Sequence, residues 1–428
     1  MKILVIGGGG REHALVWKIS QSPLVKKIFC APGNAGIAEL GECVNVKATD
    51  TEKLVAFAEK EKIDLTVVGP EAPLVEGVVD KLSERGLRAF GPRAEAALLE
   101  GSKIFAKKLM AKYNIPTGTF HTFCEAEEAA EFVHEIGTPV VIKADGLAAG
   151  KGVIVAFDEK VALSAVNQCL VEGAFGRAGS RIVIEEFLQG EEASVLAFTD
   201  GRNILTMPAS QDHKAIYDGD KGPNTGGMGA YSPAPVVSPT LLEHIENQII
   251  RPTIDALRHE GCEYRGVIYC GIMMTEAGPK VLEYNVRFGD PEAQVVIPRL
   301  KSDLVPLMLA CADGTLSDMQ AEWTDDAAVC VVLASGGYPG KYKKGMRITG
   351  LENARKVAGA IVFHAGTELK DGQVVTDGGR VIGATALGED IPSAIERAYQ
   401  CAETIRFEGR YFRSDIGKKA LARLERDS

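Results

Sequence analysis

Hydrophobic positions near the start of the chain occur in short runs, separated by longer amphipathic segments. The short runs predict buried strands, and the spacing of apolar residues between them predicts helices. The runs are KILVIG (2–7), KIFCA (27–31), LTVVG (65–69) and RAFG (88–91), and the periodic segments include 51–63 and 76–86. This alternation predicts an α/β fold with a doubly wound parallel sheet. The ligand crevice of such a sheet lies beyond the carboxyl ends of its strands, where the glycines of this segment fall.

The pattern after Gly101 mixes helices and strands less regularly. Two helices are predicted over 102–113 and 125–137, and a strand follows at 138–144. The remaining strand candidates are 153–157, 181–188, 191–200, 266–288, 327–335 and 360–366, with helices at 158–171 and 391–405. The glycine- and proline-rich stretch 218–239 has too few apolar residues to fold alone, so it predicts a long functional loop.

Composition narrows the class of protein. With 46 % hydrophobic and 25 % charged residues, the 428-residue chain is expected to be globular and to have about two to four domains. No apolar run approaches the roughly 20 residues of a spanning helix, and MKILVIGGGG predicts a core strand rather than a secretion signal. The net charge of −10 argues against a large nucleic-acid surface. Nine scattered cysteines without a C-x-x-C pair predict free thiols in the cytoplasm.

The segment VLEYNVRFGDPE (281–292) predicts a metal site. Alternate side chains of a strand share one face, so Glu283, Asn285 and Arg287 should point the same way. The opposite, core-facing set is expected to be Leu282, Tyr284, Val286 and Phe288. Carboxylate and amide oxygens, together with phosphate, are ligands that magnesium prefers. Arg287 follows on the same face, where its planar guanidinium can reach a transferring phosphoryl group.

Two lysines and a glycine-rich turn suit the phosphates of a nucleotide. Lys103 opens a helix, and Lys143 ends a strand just before GLAAGKG (146–152). Lysine supplies a point charge to phosphate oxygens, and glycines let backbone N–H groups approach them. A P-loop is excluded, because Asp145 replaces its first glycine and a strand follows where a helix should. A flexible flap between two strands is predicted instead, with nucleotide contacts from Gly150, Lys151 and Gly152.

The segment IVIEEFLQGEEAS (182–194) indicates an adenine site. We expect Ile184–Leu188 to be an edge strand whose free backbone groups bind the base, and Glu192 to accept hydrogen bonds from the ribose. The pattern is weak by itself, since EEFL occurs on ordinary strands. The hinge residues expected to contact the nucleotide are Glu185, Glu186, Phe187 and Leu188.

The glycines of GGGGREHA (7–14) end the first strand and open a helix, so they predict an anion site at the helix N-terminus. A dinucleotide site is the rival interpretation. It is disfavoured, because the third glycine of G-x-G-x-x-G would fall at Glu12 or His13 and no acid ends the second strand. A phosphate site without a dinucleotide is therefore preferred. His13 and His213 are weaker candidates for substrate contact, since a lone histidine is more often structural.

These motifs occur in the order found in the ATP-grasp superfamily, which the chain resembles. Within it, four strings are similar to the phosphoribosylamine–glycine ligases, also called glycinamide ribonucleotide synthetases. They are GGGGREHA, GPEAPL (69–74), QDHKAIYDGDKGPNTGGMGAYSPAP (211–235) and RFGDPEAQ (287–294). GGYPGKYKKG (336–345) and YFRSDIG (411–417) extend the resemblance over essentially the whole chain.

The resemblance implies three domains. They would be an N-terminal doubly wound, Rossmann-like pre-ATP-grasp domain (1–101), an ATP-grasp domain (102–325) with a flap subdomain at about 122–193, and a small α+β C-terminal domain (326–428). It also implies that ATP, with Mg²⁺ or Mn²⁺, activates glycine for attack by 5-phospho-D-ribosylamine, in purine biosynthesis. The expected partners are these small molecules, without nucleic acid or membrane, and the chain would be a monomer or a homodimer.

The resemblance further implies roles for individual residues. Lys103 and Lys143 would contact the α- and β-phosphates, Glu283 and Asn285 the metal, and a closing loop at 211–229 would exclude water. Catalytic roles are expected for Arg287, Lys214 and Asp212. Substrate contacts are expected from Gly8, Gly9, Gly10, Arg11, Glu71, Asp212, Lys214, Gly226, Gly227, Met228 and Asp290.

One departure from the wider superfamily concerns the third acidic metal ligand. Counting back from Glu283 places Cys270 or Gly271 at that position, and neither is a hard ligand. Another acid or water would have to complete the coordination. Two other classes of protein stay open at this point, a nicotinamide oxidoreductase and a nucleotide-binding module without activity. The first depends on GGGG alone, and the second would require loss of residues that are all present.

Overall fold

In the computed structural model, which describes residues 1–147 and 152–427, the first hundred residues form a five-stranded parallel sheet of order β3-β2-β1-β4-β5. Its strands are β1 (Lys2–Gly7), β2 (Lys27–Pro32), β3 (Glu42–Cys43), β4 (Leu65–Val68) and β5 (Ala89–Phe90). Its helices are α1 (Gly10–Ile19), α2 (Thr51–Glu61), α3 (Glu71–Val75), α4 (Val78–Glu84) and α5 (Ala94–Gly101). The central strand β1 is buried from Ile3 to Ile6, as expected of a parallel strand with both faces covered. The predicted doubly wound sheet is confirmed.

The next hundred residues contain an antiparallel sheet of order β6-β9-β7-β8. Its elements, with the preceding helix, are α6 (Lys103–Lys112), β6 (Phe120–Phe123), α7 (Ala126–Ile136), β7 (Val140–Ala144), β8 (Val153–Ala156), α8 (Glu159–Leu170) and β9 (Ile182–Glu186). Strand β9 lies inside this sheet, because Ile184 pairs with His121 on one side and Ile142 on the other. The predicted edge strand is therefore wrong, since β6, some sixty residues upstream, covers the edge.

The following segments complete a second antiparallel sheet of order β11-β10-β16-β17. Its strands are β10 (Glu191–Thr199), β11 (Ile204–Thr206), β16 (Gly266–Thr275) and β17 (Gly278–Asn285). Between them lie β12 (Gln211–Asp212), β13 (Ala215–Tyr217), β14 (Lys221–Asn224), β15 (Gly229–Ser232), α9 (Pro239–Ile245) and α10 (Arg251–His259). After β17 come α11 (Ala293–Val296) and α12 (Leu304–Asp313).

The C-terminal residues form a mixed layer of strands and helices. The elements are β18 (Ala327–Ala334), α13 (Leu351–Ala354), β19 (Ala360–His364), β20 (Thr367–Lys370), β21 (Gln373–Thr376), β22 (Arg380–Gly388), α14 (Ile391–Thr404) and α15 (Lys418–Asp427). The main sheet has the order β12-β15-β18-β22-β19, so two strands from the middle of the chain extend it. Short 3₁₀ turns occupy Ile37–Glu39, Gly176–Ser180, Ile297–Arg299 and Leu316–Asp318, and a π turn occupies Glu246–Ile250.

The stretch 218–239, predicted as a long loop, contains regular structure. Strands β13 and β14 form a hairpin, and β15 pairs with β18 through Ala230 and Cys330. The segment has few apolar residues of its own, but β15 is fully buried because the C-terminal sheet supplies the missing apolar partner. The loop prediction failed at this point because that partner lies a hundred residues downstream. Within the described ranges, no helix has the length and apolar character needed to cross a membrane.

A pair of buried histidines joins the first sheet to the C-terminal sheet. The His364 backbone N–H donates to Nδ1 of His13 at 2.7 Å, and the two rings lie 5.6 Å apart. Burial, followed by the positive charges nearby, lowers the pKa of His13 to about 3 and that of His364 to about 4. Both rings are therefore neutral contacts between two parts of the molecule at pH 7.

These depressed pKa values predict a pH dependence of stability. The unfolded chain binds a proton at each histidine below pH 6.5, whereas the folded chain resists it down to pH 3–4. Stability should therefore fall as the pH drops below 6.5, by up to about 1.4 kcal/mol per pH unit per histidine. His364→Gln should flatten this slope between pH 6 and 4.5 in urea unfolding, and exposed His134→Gln should not. Equal slopes in all three proteins would contradict the assignment.

Candidate active site

A single cleft of about 840 Å³ is lined by residues from the N-terminal, central and C-terminal parts of the chain. Most of the predicted site residues lie in its wall. They are Arg11, Glu71, Lys103, Lys143, Gly152, Glu185, Glu186, Phe187, Leu188, Glu192, Asp212, Lys214, Gly226, Glu283, Asn285, Arg287 and Asp290. Two further predicted residues, Gly150 and Lys151, lie outside the described residues.

Strand β17 presents Glu283 and Asn285 to the cleft, as the period of two predicts. On the other face Tyr284 is buried, and its hydroxyl lies 2.7 Å from that of Thr253 on α10. The sequence places the two potential metal ligands correctly, because the strand alternates regularly over these residues.

The alternation breaks one residue earlier. Glu283 pairs with Gly271 of β16, but Val281 pairs with the next residue, Ile272, so Leu282 is the extra residue of a bulge. Leu282 is only half-buried and lines the cleft, and its predicted place in the core is therefore wrong.

No third acidic ligand lies at the expected place on β16. Cys270 is fully buried in the apolar core, and Gly271, which has no side chain, packs against Glu283. Across the ranges that the structure describes, no three His, Cys, Asp or Glu side chains are grouped to hold a metal ion. The cleft thus offers Glu283 and Asn285 as a pair, which suits an ion that takes its other ligands from phosphate and water.

Cations surround the Glu283 carboxylate. Burial opposes its ionisation, but Lys214, Lys143, Lys103 and Arg287 together outweigh burial and lower the pKa of Glu283. The carboxylate is therefore ionised at neutral pH. Four basic groups thus lie close to one carboxylate in the cleft. Such a cluster suits a polyanionic ligand such as a nucleoside triphosphate.

A buried ion-pair chain fixes Lys143. The Lys143 ammonium lies 3.0 Å from Glu185 Oε1 and donates to the Leu282 carbonyl at 2.9 Å. Glu185 Oε2 in turn lies 2.8 Å from the ammonium of Lys107, which also donates to the Thr117 hydroxyl at 2.7 Å. Lys107 was not predicted as a site residue. Its only sequence signal is the spacing of four after Lys103, which places both on one side of α6.

The segment after β9 lies outside the sheet, so its backbone is not paired with a neighbouring strand as that of β9 is. Glu186 is the last paired residue, and its side chain bonds Lys280 at 2.9 Å. Phe187 and Leu188 follow outside the strand and line the cleft. An adenine contact is therefore better placed at these two residues than within Ile184–Glu186.

Arg287 lies at the exit of β17 in a network of acids. Its guanidinium bonds Glu100 at 3.0 Å and Glu71 at 3.3 Å, and the second oxygen of Glu100 accepts the Val286 N–H at 2.7 Å. Burial disfavours the charge, but the two carboxylates outweigh burial and raise the pKa of Arg287. Glu71, predicted to bind substrate, is thus engaged with Arg287.

Asp212 and Lys214 enter the cleft from β12 and the residues that follow it. Lys214 bonds Glu192 at 2.7 Å and lies 3.9 Å from Glu283. Burial raises the pKa of Asp212 to about 7; Lys214 opposes this, and the neighbouring carboxylates, Glu292 first among them, reinforce it. Asp212 is therefore a carboxyl group that can exchange a proton near neutral pH.

The hairpin after Lys214 is held by a buried arginine from the C-terminal region. The Arg413 guanidinium donates to the Ala215 carbonyl at 3.0 Å, to Asp220 at 3.0 Å and to Asp415 at 2.7 Å. Only 1 % of its side chain is exposed. This contact joins the DGDKGPN and YFRSDIG strings, which are almost two hundred residues apart in the sequence.

The glycines at the start of α1 do not line the cleft. The Gly9 N–H donates to Glu12 of the same helix at 2.6 Å, and Asp290 accepts a backbone hydrogen bond from Arg11. Two internal carboxylates thus occupy the helix N-terminus where an anion was predicted. A side chain at Gly8 or Gly10 would clash with Gly33 or Gln294, so close packing explains these glycines.

Two more predicted contacts lie away from the cleft wall. Met228 is fully buried in a small cluster with Ile216 and Ala334, and its N–H donates to the His213 carbonyl. Gly227 has a φ of +111° and packs on Pro291, a conformation that favours glycine. Both residues shape the turn that presents Gly226.

The C-terminal part contributes cleft residues that were not predicted. Arg380 of β22 donates to the carbonyls of Gly226 at 2.6 Å and Asp290 at 2.7 Å. The Tyr338 hydroxyl accepts from the Gly226 N–H at 3.1 Å. Sequence reasoning noted the GGYPGKYKKG string but gave Tyr338 no role, and nothing local to residue 380 marks a site. Only the fold brings both residues to Gly226.

The two antiparallel sheets and the cleft lined by residues of both are typical of an ATP-grasp protein. The fold is similar to that of the biotin carboxylase domain of a 2-oxoglutarate carboxylase from Hydrogenobacter thermophilus. The TM-score is 0.74 at 17 % identity, with 96 % of this chain and 91 % of that chain covered. At this identity the similarity concerns the fold alone.

The three models of the phosphoribosylglycinamide synthetase family match the chain as N domain (1–100), ATP-grasp domain (101–293) and C domain (328–419). The chain therefore belongs to the phosphoribosylglycinamide synthetase family. It is 53 % identical to a phosphoribosylamine–glycine ligase of Caldanaerobacter subterraneus, covering 97 % of this chain and 99 % of that one. The corresponding values for the Pseudomonas aeruginosa ligase are 54 %, 100 % and 100 %.

A solved structure supports the same assignment. The crystal structure of the phosphoribosylamine–glycine ligase of Thermotoga maritima has a TM-score of 0.84 to this chain at 35 % identity. It covers 97 % of this chain and 100 % of that chain. The expected fold, with an N-terminal doubly wound domain, an ATP-grasp domain and a C-terminal domain, is confirmed.

The Lys107–Glu185–Lys143 chain predicts that replacing Lys107 lowers the stability of the protein much more than replacing its neighbour Lys108. Lys107→Met leaves one end of the buried Glu185 without a cation, so the free energy of unfolding should fall by about 3 kcal/mol. Exposed Lys108→Met is the matched control and should change it by less than about 0.5 kcal/mol. Urea unfolding measures both values, and a similar loss in the two variants would contradict the role of the chain.

Proposed function

We propose that this protein is an ATP-dependent ligase that joins glycine to 5-phospho-D-ribosylamine. The products are glycinamide ribonucleotide, ADP and phosphate, in purine biosynthesis. The observation that carries the proposal is the concentration of Lys103, Lys143, Lys214 and Arg287 around Glu283 in one cleft. The names of the full-length relatives support the choice of substrates.

The chemistry accounts for this concentration of charge. A carboxylate resists an amine because its leaving group would be oxide. Transfer of the γ-phosphoryl group to glycine gives glycyl phosphate, from which the amine of phosphoribosylamine displaces phosphate. Such a transfer needs charge neutralisation and in-line placement more than covalent help from the protein.

The nucleotide would lie between the two antiparallel sheets. Lys103 and Lys143 would neutralise the α- and β-phosphates, and the flap with Gly150, Lys151 and Gly152 would cover them. Phe187 and Leu188 would offer backbone groups to the adenine, and Leu282 would pack against the base. Glu192 would accept hydrogen bonds from the ribose.

Glu283 and Asn285 would hold Mg²⁺ or Mn²⁺ on the phosphates. They fit a hard cation, because both present oxygen atoms to the cleft from one strand face and Glu283 is ionised. When bound, the metal supplies charge neutralisation on the phosphate oxygens. Arg287 would steady the transferring group, since its fork is already oriented by Glu71 and Glu100.

Glycine and phosphoribosylamine would bind in the same cleft. Asp212, Lys214, Gly226, Arg11, Glu71 and Asp290 line it and would supply the contacts. Closure of the hairpin after Lys214 would exclude water from glycyl phosphate, and its attachment to Arg413 limits the motion to the residues nearest the cleft. Asp212 is suited to take the proton that the attacking amine releases.

We place the boundaries of the three domains at 1–101, 102–325 and 326–428, with a flap subdomain at about 122–193. The partners would be small molecules rather than nucleic acid, and the chain would act as a monomer or a homodimer. A cytoplasmic location suits the nine cysteines, which are all free thiols, and the phosphorylated substrates.

The test of the proposed function is glycine-dependent release of ADP with freshly prepared phosphoribosylamine. We expect ADP release only when ATP, a divalent cation, glycine and phosphoribosylamine are all present. Release that needs a different amino acid or amine would contradict the assignment of substrates.

Variants of Arg287 separate transition-state stabilisation from nucleotide binding. Arg287→Ala should lower kcat by about 100-fold, because the lost donor acts on charge that develops during transfer. The KM for ATP should change little. Arg287→Lys retains the positive charge beside Glu100, so it controls for unfolding caused by loss of that ion pair. The exposed Arg88→Lys should behave like wild type. An unchanged kcat in Arg287→Ala would remove this residue from the mechanism.

A further inference from the structure

The Glu292 carboxylate lies in the cleft wall without a cation of its own. The residue is only 3 % exposed and belongs to the GDPE string after Arg287. Within the described part of the chain, no lysine, arginine or histidine nitrogen forms an ion pair with it. A buried carboxylate is expensive unless a charge or several donors compensate it.

The two oxygens of Glu292 have different surroundings. Oε1 accepts from the Tyr269 hydroxyl at 2.7 Å and from the Ser194 hydroxyl at 3.2 Å. The same two hydroxyls lie 2.9 Å apart, so they hold this oxygen in place. Oε2 receives no hydrogen bond from the described residues, and a Cβ atom at Gly289 would clash with it, so residue 289 has to be small. One oxygen is thus anchored, and the other is available to a ligand.

Two cations that interact electrostatically with Glu292 are already engaged elsewhere. Arg287 bonds Glu71 and Glu100, and Arg380 lies 3.3 Å from Asp290 while donating to backbone carbonyls. Neither can turn to Glu292 without leaving one of these partners. Glu292 therefore has no cation of its own among the described residues.

Asp212 adds a second acid to this part of the cleft. It accepts no side-chain hydrogen bond from the described residues, and Glu292 is the carboxylate that affects its ionisation most. Two carboxyl groups that face one cavity, neither of them in an ion pair with a described residue, favour a small ligand with positive charge and several N–H groups. A primary ammonium supplies both.

We propose that Glu292, with Asp212 as second acceptor, binds the α-ammonium of the amino acid substrate. The inference rests on the proposed function, in which that substrate is glycine. Glycine carries its ammonium two bonds from its carboxylate, so anchoring the ammonium at Glu292 directs the carboxylate toward Arg287 and the transferring phosphoryl group. Glu292 thereby selects an amino acid over a carboxylic acid that lacks the amine.

The experiment compares glycine with glycolate, which replaces the ammonium by a neutral hydroxyl. The readout is the ratio of kcat/KM for the two acids, measured by ADP release with phosphoribosylamine. A hydrogen bond to a charged group corresponds to about 10- to 100-fold in affinity. Glu292→Gln should therefore raise the KM for glycine by about this factor and lower the glycine-to-glycolate ratio similarly. The KM for ATP should not change.

Two control variants separate loss of the Glu292 charge from general damage to the protein. Tyr269→Phe removes a donor from Oε1 but keeps the carboxylate, so the ratio should stay within about threefold of wild type. Glu276→Gln, at the exposed turn of the same β16–β17 hairpin, should behave like wild type. If Glu292→Gln does not fold, Asp212→Asn decides in its place, with the ratio again expected to fall.

The outcomes are distinct. A lower kcat with an unchanged KM for glycine and an unchanged ratio would overturn the proposal and indicate proton transfer instead. A wild-type protein that releases no ADP with glycine would contradict the proposed function itself. Active wild type with a ratio insensitive to both acidic positions would contradict only the ammonium site.

Discussion

The ion pairs of Arg287 with Glu71 and Glu100 connect the main parts of the site. Glu71 begins α3 and Glu100 lies in α5 of the N-terminal domain, whereas Arg287 follows the last strand of the central sheet. Glu100 also accepts the Val286 N–H, so one side chain fixes both the backbone and the arginine. Breaking such a buried network is costly, because it leaves an unpaired charge. The end of β17 is thereby held against the N-terminal sheet.

The ion pairs of Arg287 also fix the positions of Glu283 and Asn285. They precede Arg287 on the same strand face, and Lys143 reaches the same strand through the Leu282 carbonyl. The N-terminal domain thus holds one end of the strand, and Lys143 of the sheet β6-β9-β7-β8 binds the strand at Leu282. Four cations therefore lie near the Glu283 carboxylate, where they can act on a bound phosphate.

The parts of the site that the sequence predicts are local. Glu283 and Asn285 follow from alternation along one strand, and Lys103 and Lys143 follow from their positions at element ends. The wrong or missing predictions concern residues whose partners lie far away in the chain. Leu282 faces the cleft because of a bulge that depends on β16, and β9 is covered by β6. Glu292, Lys107 and Arg380 acquire their roles only from partners far away in the chain, which neither period nor spacing reveals.

The central claim is that the cleft transfers a phosphoryl group to the carboxylate of glycine. Turnover with glycine labelled with ¹⁸O in the carboxylate tests it directly, by mass spectrometry of the inorganic phosphate. In the proposed chemistry the bridging oxygen of glycyl phosphate leaves with phosphorus. Each phosphate released should therefore carry one ¹⁸O atom. Phosphate without ¹⁸O, formed together with the amide product, would contradict the account.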